Sequence, residues 1–167
     1  MNSNKDYPVK KVSIICAKGT IEDVYAAFIM GNGAVMEGIE ANLFFTFFGL
    51  EGIMKKRMNK LHTGTVGNPA LRLPGGLRMP TLLGVIPGIE AMVSWMMKKQ
   101  MDKLDVPPVD EFIDLFVAGG GKLYACKLAA DMFKVTMEDL NENVKGIITV
   151  GEFYELAGGE GSQIIFT

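Results

Sequence analysis

Short apolar runs alternate along the chain with stretches of helical spacing. VSIICA (residues 12–17) is apolar, β-rich and flanked by lysines, which fits a strand buried on both faces. Lys18-Gly19 makes the turn out of it. Thr20 can cap the next helix, and Asp23 stands three residues on, at capping-box spacing. Over residues 21–38, Val24, Ala27, Phe28, Met30, Ala34 and Val35 recur near helical spacing, and Gly38 ends the run. ANLFFTFFG (41–49) predicts a second buried strand, and 49–60 a short basic helix. Residues 89–104 and the stretch VPPVDEFIDLFVAGG predict two more helices, the latter started near Pro107-Pro108 and stopped at Gly119 to Gly121. KLYAC is the third strand, KLAADMF a helix, and TMEDLNE, from Thr136, a shorter one. KGIITV (145–150) is the fourth strand, GEFYELAG a helix of about two turns, and SQIIFT the fifth strand.

Buried strands that alternate with helices predict an α/β fold with three α/β/α layers around a mostly parallel five-stranded sheet. One domain over residues 1–167 is expected, with an irregular Gly/Pro-rich insertion at about 62–88. That insertion is long for a connection and reads as a functional or interaction loop. In such folds ligands gather beyond the carboxyl ends of the strands. Lys18-Gly19, Gly49, Cys126 and Gly151 all fall there.

Composition narrows the function classes. The net charge is -2 and the basic residues are spread out, which argues against a nucleic-acid footprint. Two cysteines make no disulfide framework. The segment MNSNKDYPVKK lacks the apolar stretch of a signal peptide, so a cytoplasmic location is expected. Residues 79–101 are strongly apolar, but Pro80, Pro87 and Glu90 interrupt them. Burial in the core or a subunit interface is the expectation over a spanning helix, and contact with a membrane surface through Met and Trp95 remains an alternative. The surplus of apolar side chains in residues 82–97 also predicts a homo-oligomer.

The glycine clusters do not carry a nucleotide motif. GNGAVMEG lies within or at the end of the first helix, whereas GGG and AGGEG precede strands; none joins a strand to a helix. The Lys18-Gly19-Thr20 turn suits an anion by position, yet Glu22 and Asp23 already occupy the positive end of that helix. His62, the single histidine, has no partner set for zinc or for a Ser-His-Asp arrangement, so a solvent-facing loop histidine is expected and no metal site. Basic residues from Lys55 to Lys103 form either a solvated face or a docking surface for an acidic partner or anionic lipid.

Cys126 stands where an apolar strand gives way to a helix. Free cysteines are commonly core filling. At a helix start, however, the dipole and free N–H groups favour a thiolate, and Lys127 adds positive charge. Both readings are open on position alone. Cys16, inside VSIICA, is expected in the core. If the first and third strands were neighbours, a reversible Cys16–Cys126 disulfide could form.

Three segments carry a family resemblance. VYAAFIMGNGAVMEGIEANLFFTFFGL (24–50), MKKQM (97–101) and KLYACKLAADMF (122–133) resemble the DsrE/DsrF-like sulfur-relay family, in its longer subgroup with an extended middle region. The resemblance implies a flavodoxin-like α/β/α domain, usually oligomeric. It implies a sulfurtransferase or sulfur carrier that holds sulfane sulfur as a cysteine persulfide and works with a small TusA-type carrier. The matching cysteine is Cys126, and Asp131 matches the acidic residue of the following helix. Lys127, Lys18 and Gly19 are expected to support the anion, with Cys16 and Asp131 secondary. No cofactor is expected. The competing readings are a non-catalytic oligomeric scaffold of the same fold with an inert Cys126, a membrane-surface component, and a small-ligand binder at the strand ends.

Overall fold

Five strands form one parallel sheet in the order β4-β3-β2-β1-β5. They are β1 (Lys11–Cys16), β2 (Glu40–Phe45), β3 (Lys122–Cys126), β4 (Val144–Ile148) and β5 (Ser162–Phe166). The helices are α1 (Ile21–Met36), α2 (Ile89–Asp102), α3 (Val109–Ala118), α4 (Lys127–Phe133) and α5 (Val150–Ala157). The structure is a computed structural model, and it describes residues 8–66, 68, 70, 72, 78, 80 and 84–167. Part of the expected insertion, and part of the apolar stretches at 79–101 and 82–97, lies outside them. Among the described residues no helix is long and apolar enough to cross a membrane.

The central strands β1, β2 and β3 form because each is a run of residues buried on both faces, while the edge strands β4 and β5 are partly exposed. Phe45 turns its ring to Phe28 of α1 on one side, and the adjacent Phe44 stacks on Phe153 of α5 on the other, with centroids 4.6 Å apart. Successive side chains point to opposite faces, so this pair alone identifies the two helical layers. Gly31 of α1 brings Phe116 of α3 onto Leu43, which places α3 on the α1 side. Right-handed crossovers put α4 there as well. The α/β/α expectation is borne out, with α5 alone on the second face.

Caps set the helix starts. Thr20 accepts the Asp23 N–H at the head of α1, as its spacing predicts. Thr149 heads α5 with a full capping box: it accepts from the Glu152 N–H, while the Glu152 carboxylate accepts from the Thr149 N–H at 2.7 Å. Those bonds from Thr149, its backbone N–H first, hold the Glu152 carboxyl below its usual range. Thr149→Ala removes the cap. It is expected to lower stability by about 1 kcal/mol, or about 2–4 °C in Tm, measured by thermal melting.

Two expected helices are absent. Residues 49–60 form two short 3-10 helices instead, Phe47–Ile53 and Met58–Lys60. Tertiary bonds claim the backbone there: the Gly49 N–H donates to Ala17 O, the Asn141 N–H to Ile53 O, and the Lys55 N–H to Asp139 O. The stretch from Thr136 is a turn. The Asp139 carboxylate accepts from the Thr136 N–H and hydroxyl, each at 3.0 Å, as at a helix start, but the Asn141 N–H donates to Ile53 O and Asp139 O accepts from the Lys55 N–H, so the turn is not continued.

Candidate functional site

The carboxyl ends of the strands carry the candidate residues. Leu123 and Ala125 of β3 are buried, and the strand runs out at Cys126. Cys126 is extended (φ -72°, ψ 124°) and forms the N-cap of α4, with no side-chain capping bond. It lies in register with Ile148 of β4, whose chain turns at Thr149 into α5. The starts of α4 and α5 therefore follow neighbouring strand ends at this edge, and Cys126 caps the first of them. The first-turn N–H groups of a helix have no partner within it. Cys126 is 5% exposed.

The supporting residues are distributed unevenly. The Lys127 ammonium is bound to both carboxylate oxygens of Asp131, at 3.0 and 3.1 Å, an i,i+4 pair on the exposed side of α4. Asp131 thus holds Lys127. Lys18 lies 3.6 Å from Asp23. Lys18 and Gly19 follow β1, and β2 separates that strand from β3, so these two residues do not meet Cys126. Gly19 instead packs on Phe48 O, where an added Cβ would stand at 2.5 Å.

Cys16 is fully buried, and its thiol donates to Lys18 O at 3.5 Å. Burial, the largest effect, pushes that thiol up to about 11. The neighbouring-strand condition for a Cys16–Cys126 disulfide is not met, because β2 lies between them. Two strand spacings put their Cα atoms about 10 Å apart, beyond the about 7 Å that a disulfide spans. Cys16 also shares a sheet face with Phe45 and Ala125, and Cys126 falls on the other.

His62 is exposed, with Nδ1 3.3 Å from the Glu90 carboxylate. Among the described residues no group of three or more His, Cys, Asp and Glu side chains is placed to hold a metal ion. The apolar run predicts Phe47 and Phe48 as the end of a buried strand, yet β2 stops at Phe45 and both rings are exposed. Thr46 between the two Phe pairs is the signal in the sequence that the apolar run breaks there.

Comparison with known proteins agrees with the fold. The YchN protein of E. coli has a crystal structure that superposes with a TM-score of 0.53, over 95% of this chain and 100% of that one, at 12% identity, which shows a shared fold. The sulfur carrier protein DsrE2 of Allochromatium vinosum is 32% identical over 151 residues, covering 89% of this chain and 93% of that protein. The uncharacterized protein YrkE of Bacillus subtilis is 24% identical over 136 residues, 81% of this chain and 84% of its own. The sequence model of the DsrE/DsrF/DrsH-like family matches residues 8–164. The chain belongs to the DsrE/DsrF/DrsH-like family.

Proposed function

We propose that this protein accepts and relays sulfane sulfur as a persulfide on Cys126. The observation that carries the reading is the position of Cys126, at the end of β3 and the start of α4 on the carboxyl edge of the sheet. The similarity to a protein named as a sulfur carrier supports it. The Cys126 thiolate attacks the outer sulfur of a donor persulfide, R–S–SH. The new bond joins Sγ to that sulfur, the donor S–S bond breaks, and R–S⁻ leaves with the electron pair. Cys126–S–SH results with no net change of oxidation state. A partner thiolate then attacks the outer sulfur and returns Cys126 to thiolate. First-turn N–H groups of α4 stabilise the anion at each stage. The partner is a small carrier of the TusA type, the protein works as a homo-oligomer in the cytoplasm, and no cofactor takes part.

The test is exposure to a persulfide donor followed by peptide mass spectrometry. Labile sulfur is expected on the Cys126 peptide, with none on the Cys16 peptide. Sulfur on Cys16 alone, or on neither, would sink the proposal.

The 5% exposure of Cys126 favours a second reading, a non-catalytic scaffold of the same fold with an inert thiol. Native alkylation separates the two. For a relay, a small alkylating reagent at neutral pH is expected to modify Cys126 before unfolding and to leave Cys16 untouched. A Cys126 that reacts only in denaturant establishes the scaffold.

A further inference from the structure

At the carboxyl edge of the sheet, which also carries Cys126, the chain exposes aromatic rings that its core does not use. Phe45 pairs with Ala125, so Thr46 stands level with Cys126 and Phe47 follows by one residue. Phe47 is 46% exposed, Phe48 62%, and Phe133, at the end of α4, 42%. The Phe48 and Phe133 rings pack with centroids 5.5 Å apart. A cleft of about 240 Å³ opens against them, lined also by Leu50, Met54 and Val135 and by Arg57, which pairs with Glu51 at 3.3 Å. This is below the about 300–1,000 Å³ usual for small-molecule sites, and it suits an inserted side chain. Leu128 and Met132, one turn apart on α4, are exposed and extend the apolar surface.

The backbone of Phe47 supplies a separate reason to assign this surface a task. Its φ is 44°, in the left-handed region, where a bulky side chain is an outlier. Glycine would hold the same conformation without strain. A strained aromatic kept exposed at the sheet edge that carries a candidate nucleophile marks a functional contact.

Charge identifies the occupant. Lys55, Lys56, Arg57 and Lys60 stand within six consecutive positions, and Lys134 follows Phe133. Among the described residues these five cations make one ion pair, Arg57 with Glu51, and the Asp139 carboxylate lies by Lys55 and Lys56.

We propose that the cleft between the 47–54 segment and the end of α4 receives an aromatic or branched aliphatic side chain from an acidic segment of the protein that exchanges sulfur with Cys126. The partner's aromatic or aliphatic anchor fills the cleft, and its carboxylates meet Arg57 of the lining and the lysines that precede it, Lys55 and Lys56. The identity of the partner as a sulfur-exchanging protein rests on the relay reading above.

The experiment uses two synthetic peptides in an NMR titration of the full chain. One has a central Leu-Phe pair flanked by glutamate and aspartate; the other carries lysine at the acidic positions. The acidic peptide is expected to shift the resonances of Phe47, Phe48, Arg57 and Phe133 and to bind at least about tenfold more tightly than the basic one. Phe48→Ser is expected to weaken it about tenfold. Phe47→Gly is expected to weaken it while keeping a Tm equal to or above that of the parent, which a merely structural Phe47 would not do. Equal binding of the two peptides overturns the proposal. So do shifts elsewhere, or shifts at these residues on diluting the protein alone, which would assign the cleft to a second copy. Sulfur loading on Cys126, measured in parallel, reports on the relay by itself. Loading without peptide preference removes the docking surface and keeps the relay; peptide preference without loading does the reverse.

Discussion

Cys126→Ser is expected to lower sulfane-sulfur loading by at least about a hundredfold, because a serine hydroxyl at neutral pH is a far weaker nucleophile than a thiolate and forms no persulfide. The readout is labile sulfur per chain after exposure to a persulfide donor. Cys16→Ala is the matched control. Its thiol is fully buried, bonded to Lys18 O and pushed up to about 11 by burial, so it stays protonated and out of reach at neutral pH. Loading by Cys16→Ala should stay within about twofold of the parent, since the reactive form of a thiol is the thiolate. Lys127→Met is expected to have a small effect, because the Lys127 ammonium is already engaged by Asp131. A Cys126→Ser chain that loads as well as the parent would remove Cys126 from the chemistry.

Gly49→Ala is expected to cost about 3 kcal/mol, the upper end of ordinary overpacking, and to lower Tm by about 6–12 °C. A Cβ at this position would overlap the Cys16 carbonyl oxygen and lie 2.8 Å from the Cys16 carbonyl carbon. Both atoms are backbone at the end of β1, so no side-chain rotation relieves the clash. The Gly49 N–H also donates to Ala17 O at 3.1 Å and to Thr46 O at 2.9 Å, and those bonds hold the 47–49 segment against the sheet. Gly33→Ala is the contrasting variant. Nothing lies within 4 Å of a Cβ built there, in the body of α1, so it is expected to stabilise by about 0.5–1 kcal/mol. Thermal melts of the two variants test the contrast. A Gly49→Ala chain as stable as the parent would show that the two segments separate easily, and that nothing holds Phe47 and Phe48 against the end of β1.

Pattern and periodicity were sufficient where local forces agreed with the fold. KLYAC could be read as a strand because Leu123 and Ala125 alternate with half-buried positions, and KLAADMF as a helix because Ala129 and Ala130 fall on its buried side. The Thr20 cap was legible for the same reason, since the cap bond reaches only three residues along the chain. Residues 49–60 were misread because their backbone groups bond to Ala17, Asp139 and Asn141. Two of those partners are more than eighty residues away, and no spacing rule sees them.

The candidate site divides along the same line. The chain alone determined the five strands, the helices between them and the placing of Cys126 where strand passes to helix. Each of these follows from the local period of burial and from caps a few residues long. The tertiary structure decided which strand ends are neighbours. It put β2 between the two cysteines, left Lys18 and Gly19 away from Cys126, and turned Phe47 and Phe48 outward. Strand order and register arise from long-range packing of Phe28 on Phe45 and Phe153 on Phe44, contacts between residues far apart in sequence that a linear pattern does not encode.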